Sequence, residues 1–292
     1  MEDNYMKRIV LFGNGHVALG SFRRIMKKFN VVGVIVPYED SDIENLCRIN
    51  NIKYSYCIND LEEFEPELCL LISYGNLIPD KYVEKYKFIN VHYGLLPKYR
   101  GMHTVAWAMI NGENEVGYTI HEIDDMVDNG DILLQKKIKI YQGEDRNEIM
   151  KRLDVSLEDN ICDFIKRYIN NEIIGIKQDI SKATFYGKRN IEDCLINWND
   201  STENILNFIR ALVPPYPGAY TNYNGDNIII ISAEEFNSEN YKEIPGHIVY
   251  RIENYGVIVK TKDTTIAIKE IMVNNKIIKS YEYIKIVGGR FK

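Results

Sequence analysis

The sequence predicts an α/β protein, a Rossmann-like parallel sheet followed by a smaller, mostly β domain. Two observations carry that expectation. Up to Asn170, short β-branched runs alternate with stretches whose apolar residues recur at helical spacing. After Gly187 the texture changes to turn-rich segments separating β-type runs. The length of 292 residues suits two domains, placed at 1–187 and 188–292.

Residues 8–12 (RIVLF) and 31–36 (VVGVIV) read as strands flanking a helix over 16–29. The alternation continues with a helix in SDIENLCRINN, a strand at 67–73, a helix near 79–87, a strand at 87–92 and a helix near 103–111. Residues 144–170 form one or two amphipathic helices, and an open parallel sheet covered on both faces follows. Beyond Gly187, the helical STENILNFIRALV and the turn PPYPGAY precede NIIIIS, GHIVYRI, YGVIVKTK and TTIAIKEIMV, which suggest an OB-like domain.

Composition narrows the function classes. Lys and Arg number 36 against 42 Asp and Glu, giving a net charge of −6, and 45% of residues are hydrophobic. A cytoplasmic protein is expected, without a membrane partner, because no apolar window reaches the ~20 residues of a spanning helix. The negative balance argues against nucleic acid as the main partner and leaves room for a homodimer. Five dispersed cysteines, never in C-x-x-C spacing, support neither a disulfide framework nor a zinc site. His92, His103 and His121 do not place two ligands on one helix face, so no metal is expected.

Two constellations compete for the chemistry. Gly13-Asn14-Gly15-His16-Val17-Ala18 follows a strand and opens a helix, with Glu39 and Asp40 after the second strand. This fits the dinucleotide fingerprint and makes an NAD(P)-dependent dehydrogenase an alternative, although a tight strand-to-helix turn favours glycine in any case. The second constellation begins in FINVHYGLLPKYRG. Asn90 and His92, two residues apart, leave the same face at the carboxyl end of a parallel strand, where ligands of open α/β sheets bind. GYTIHEIDDMVDNGDILLQ adds His121, Asp124, Asp125 and Asp128 around a turn at Asn129-Gly130.

NVHYGLLPKYRG resembles the N-x-H-x-S-L-L-P-x-Y-R-G signature of formyltransferases that use 10-formyltetrahydrofolate. GYTIHEIDDMVDNGDIL is similar to their second motif, and FYGKRNIEDCLINW and IRALVPPYPGAY resemble elements of the longer members. The departures are Tyr93 and Gly94, where many relatives have Pro and Ser. The resemblance implies that Asn90, His92 and Asp128 are catalytic: Asn90 and a protonated His92 would stabilise an oxyanion, and Asp128 would hold that charge and help remove the amine proton. It also implies a folate pocket at Asn76, Leu77, Ile78, Ile123 and Asp125. No covalent intermediate is required.

Among the subfamilies, one-domain glycinamide ribonucleotide formyltransferases do not account for the residues after Gly187. Methionyl-tRNA formyltransferases share the two-domain layout and resemble one another in a basic loop after the second strand. Here that region carries Glu39, Asp40, Asp42 and Glu44 against Arg48, which would repel phosphates. Residues 240–292 point the other way, with ten Lys/Arg and five Asp/Glu. The expectation is a nucleotide-sugar N-formyltransferase acting on an amino deoxysugar of a surface polysaccharide, with Arg100, His103, Arg210 and Tyr216 as nucleotide-sugar contacts. Methionyl-tRNA is the alternative acceptor.

Overall fold

The computed structural model describes residues 7–237 and 239–292. The chain divides into two compact units. The first takes residues up to Thr104 together with Val116–Ile138 and Met150–Tyr186; the second takes Val105–Glu115, Lys139–Ile149 and Gly187–Lys292.

In chain order the elements up to Tyr186 are β1 (Ile9–Gly13), α1 (Gly15–Ile25), β2 (Val31–Ile35), α2 (Ser41–Ile49), β3 (Tyr54–Ser55), α3 (Leu61–Phe64) and β4 (Leu68–Ile72). There follow α4 (Asp80–Val83), β5 (Phe88–His92), β6 (Arg100–Gly101), α5 (Thr104–Ile110), β7 (Glu115–Glu122), β8 (Ile132–Lys139), α6 (Arg146–Ile169) and β9 (Phe185–Tyr186). A seven-stranded sheet runs β3-β2-β1-β4-β5-β7-β8. Its pairs from β3 through β5 are parallel. Every residue of β1 and β4 is buried, as expected of parallel strands covered on both faces.

The sheet departs from an all-parallel one at β7, which pairs antiparallel with β5. Residues 93–114 return the chain to the end of the sheet where β5 finishes, so β7 starts there. The helix expected near 79–87 is also shorter, since α4 ends at Val83 and only turn bonds continue to Tyr86. Gly13 has a packing reason: an added Cβ would lie 1.9 Å from the Ile72 carbonyl oxygen of β4.

The second unit contains α7 (Thr202–Ala211), β10 (Tyr220–Tyr223), β11 (Asp226–Asn237), β12 (Ile248–Ile252), β13 (Gly256–Lys260), β14 (Thr265–Val273), β15 (Lys276–Lys279) and α8 (Ser280–Tyr283). Its antiparallel sheet runs β10-β11-β14-β13-β12, with β15 paired to β14. Asn274 and Asn275 both have positive φ, the requirement of a tight β14–β15 hairpin. Asp263 anchors α7, accepting from the Thr202 amide (2.8 Å) and hydroxyl (3.0 Å). Among the described residues, no helix is long and apolar enough to cross a membrane.

Candidate active site

The β5–β7 ladder sets Asn90 opposite His121 and His92 opposite Thr119. Side chains of directly paired residues lie close on one face, and here Asn90 Nδ2 is 3.2 Å from His121 Nε2. His121 Nδ1 lies 2.7 Å from the Glu122 carbonyl oxygen. A carbonyl can only accept, so Nδ1 carries the proton and Nε2 accepts from Asn90. The same logic fixes His92. Its Nε2 donates to the Tyr99 carbonyl at 2.6 Å, which turns Nδ1 toward Asp128 Oδ2 at 3.5 Å. The other Asp128 oxygen is 3.5 Å from His121 Nε2, and Oδ2 accepts the Gly101 amide at 2.8 Å. Asn90, His92 and Asp128 are thus brought together with His121 between them, and all four belong to the first unit.

Burial is the strongest influence on both ionisable partners, with opposite outcomes. It pushes the Asp128 carboxyl up, but the His121 and His92 imidazoles and the Gly101 amide outweigh it and leave the carboxyl at about 2. It pushes His92 below its ordinary value, against the opposing pull of Asp128 and the Tyr99 carbonyl, while His121 and Arg100 add to the downward push. The resting pair at neutral pH is therefore a neutral imidazole beside a carboxylate. The sequence reading places a standing proton on His92; burial works against that charge, while Asp128 and the Tyr99 carbonyl work for it.

Gly94 has its own physical reason for departing from serine. A Cβ there would lie 2.5 Å from His92 Nε2 and 2.7 Å from the Tyr99 carbonyl oxygen. Glycine leaves open the line along which His92 reaches its backbone acceptor. Tyr93, the other departure, donates to Asp154 at 2.8 Å and packs beside Tyr118.

The residues expected around folate follow two strand ends. Asn76, Leu77 and Ile78 occupy the loop after β4, and Leu77 is 80% exposed. Ile78 and Ile123 pack on one apolar cluster that includes Leu71, Tyr82 and Phe88. The Ile123 amide also bonds the Phe88 carbonyl at 3.1 Å. Asp125 is exposed on the turn that leads to Asp128.

The expected nucleotide-sugar contacts are placed differently from one another. Arg100 is wholly buried, donating to Gln178 Oε1 at 2.7 Å with its guanidinium 5.5 Å from the Phe185 ring. No diphosphate can touch it in this arrangement, because an enclosed guanidinium presents no face to a ligand. His103 is half-buried with a left-handed backbone, φ 58°. In the second unit, Arg210 donates to the Asn207 side chain and to the Glu144 carbonyl, and Tyr216 lies beneath Arg146 at 4.1 Å. Sequence reasoning did not single out Gln178, Tyr99 or Gly101. Tyr99 and Gly101 lie inside the quoted motif, whereas the run KQDIS around Gln178 carries no local signal.

The dinucleotide-like turn is occupied from within. Asp40 Oδ2 accepts the Gly15 amide at 2.7 Å, and Oδ1 accepts the amides of Asp42 and Ile43 as the N-cap of α2. An amide offered to a pyrophosphate in the fingerprint is here paired with a carboxylate, which repels phosphate. Among the described residues, no group of three or more His, Cys, Asp or Glu is arranged to hold a metal ion.

An amide, two imidazoles and a carboxylate gathered beside a strand end of a Rossmann-like sheet are the hydrogen-bonding and proton-accepting groups of an enzyme's active site. The chain belongs to the formyl transferase family, whose N-terminal domain matches residues 38–161 and whose C-terminal domain matches 189–287. It is a formyltransferase. It is 30% identical to the methionyl-tRNA formyltransferase of Clostridium novyi, over 95% of this chain and 96% of that one. Its fold is similar to that of WlaRD, a sugar 3N-formyl transferase solved with dTDP and 5-N-formyl-THF, with TM-score 0.72, 22% identity and 93% and 99% of the two chains covered. It is also similar to the N-formyltransferase of Helicobacter canadensis in complex with folinic acid and dTDP-3-aminofucose, with TM-score 0.69, 23% identity and coverage of 90% and 98%.

Proposed function

We propose that this formyltransferase moves the formyl group of 10-formyltetrahydrofolate to the free amine of a nucleotide-linked amino deoxysugar. Residues 1–187 would be its catalytic domain and 188–292 its C-terminal domain. The observation that carries the choice of acceptor is the link from β2 to α2. It is only residues 36–40, it is acidic, and its Asp40 is engaged by Gly15 and the α2 amides. That link has neither the length nor the charge to grip an RNA backbone.

The chemistry follows from the side chains. The amine attacks the formyl carbon, forming a C–N bond and an oxyanion. Asn90 has one N–H engaged by His121 and a second to offer the oxyanion. His92 Nδ1, neutral at rest, takes the proton lost by the attacking amine, and Asp128 stabilises the imidazolium so formed. The bond to N10 of the folate then breaks, and that nitrogen leaves with the proton. The loop of Asn76, Leu77 and Ile78, with Ile123 and Asp125, is our candidate for holding the pterin.

Methionyl-tRNA is a second acceptor reading, favoured by the identity to methionyl-tRNA formyltransferases and by the positive balance of residues 240–292. Tetrahydrofolate release measured with a panel of amino-sugar nucleotides and with initiator methionyl-tRNA separates the two. Turnover confined to a nucleotide sugar is expected; turnover confined to methionyl-tRNA overturns the proposal.

A further inference from the structure

Asp128 holds a left-handed backbone, φ 51°, a conformation unfavourable for a non-glycine residue that persists only where its surroundings impose it. Its carboxylate must nevertheless stay aimed at two imidazoles 3.5 Å away. The backbone of this turn is held from one side chain. Gln178 Nε2 donates to the carbonyls of both Asp128 (2.9 Å) and Gly130 (2.8 Å), while its Oε1 accepts from Arg100 Nη2 at 2.7 Å. Both ends of one amide are therefore in use.

Arg100 is the unusual member. It is 0% exposed, its Nε and Nη1 have no hydrogen-bond partner, and among the described residues no carboxylate forms an ion pair with it. A buried guanidinium is costly unless it is paired and hydrogen-bonded, and an apolar side chain would fill the same space more favourably. What the cation does here is polarise Gln178, since an amide oxygen bonded to a cation makes the amide N–H groups stronger donors. The chain around Arg100 is pinned as well. Its amide bonds the Thr184 carbonyl at 2.8 Å, β6 pairs parallel with β9, and the next amide, Gly101, reaches Asp128 Oδ2.

We propose that Arg100 and Gln178 form a buried clamp that sets the Asp128–Gly130 turn for formyl transfer, making both of them positioning residues. The proposal rests on the reading of Asp128 as the partner of His92, and deepens it. It gives Arg100 a role that needs no contact with the acceptor, and it places a residue 50 positions beyond Asp128 in control of the carboxylate.

Gln178→Glu tests it. Glutamate keeps an oxygen for Arg100, and gives the buried cation a counter-charge, but sets a carboxylate against two carbonyls that need donors. The expected result is a folded protein melting within a few degrees of the original, with kcat reduced tenfold or more and the KM for 10-formyltetrahydrofolate changed less than about threefold. Gln178→Leu, which lacks both functions, is expected to match that loss in kcat. Unchanged kcat in a folded Gln178→Glu would overturn the clamp. Asp128→Asn, measured beside it, isolates the underlying reading: a large loss there with none in Gln178→Glu rejects the clamp alone, and no loss in Asp128→Asn rejects both.

Discussion

At the scale of single residues, the site depends on which nitrogen of each histidine carries a proton, and backbone carbonyls decide that. Asn90→Ala, His92→Asn and Asp128→Asn are each expected to lower kcat by two orders of magnitude or more at saturating substrates while the far-ultraviolet circular dichroism stays that of the parent. Losses below tenfold at all three would remove the assignment. Gly94→Ala should cost about tenfold in kcat without touching any substrate, because its Cβ forces His92 off the Tyr99 carbonyl. Steady-state kinetics on the folded variant checks this. The pH dependence has a definite sign. His92 in the folded protein holds its proton less tightly than an ordinary histidine of 6.5, so its neutral, proton-accepting form persists below that pH. The acid limb of kcat/KM is expected below pH 6.5, and a limb centred above 7 would contradict it. The stability that His92 contributes as a neutral group is complete above about 6.5 and lost as pH falls toward its lowered value. Asn90 and His92 were legible as a pair in the sequence because a two-residue spacing in a strand fixes a shared face, whereas Asp128 was singled out through the motif resemblance. The neutral resting state of His92 was not, since burial is a tertiary quantity.

At the scale of elements, a carboxylate remote in sequence organises the start of a helix. The start of α7 depends on Asp263: burial pushes its carboxyl up, but the amides of Thr202 and Thr264, the Thr202 hydroxyl and its own amide outweigh that and leave it at about 2. Asp263→Ala should destabilise the protein by about 1–3 kcal/mol, because it leaves the Thr202 amide and hydroxyl and the Thr264 amide without this acceptor. Urea denaturation measures it, and a change under 0.3 kcal/mol would show that the threonines suffice. Because the folded carboxyl lies below its ordinary 3.8, this contribution is present above about pH 4 and disappears as pH falls through about 2. The strands and long helices were readable from periodicity, and α6 resolves as one helix where one or two were expected. The antiparallel β7 was not readable, because alternating strand and helix patterns carry no direction for a strand reached through a long connection. Gln178 was invisible for a related reason: only the folded chain brings it 2.9 Å from the Asp128 carbonyl.

At the scale of the whole molecule, charge separates the candidate acceptors. A nucleotide sugar needs only its diphosphate neutralised, whereas tRNA contacts many phosphates and gives a log–log salt slope of several units. Turnover of the cognate amino-sugar nucleotide is therefore expected to change little between low and physiological ionic strength. Efficient formylation of methionyl-tRNA with steep salt sensitivity would show that the basic residues of 240–292 outweigh the acidic run from Glu39 to Glu44. The pairing of Asn90 with His121 across β5 and β7 has a consequence for how the enzyme loses and regains function. Asn90 and the His121 that engages it are rungs of one ladder, not tips of separate loops, so neither can drift alone while the sheet stands. During refolding, activity can return only once β7 has docked in register, since a slip of one residue would turn His121 to the opposite face. Turnover is then a clock for that single pairing event, and its recovery should coincide with amide protection of Asn90 and His121 in pulsed hydrogen exchange.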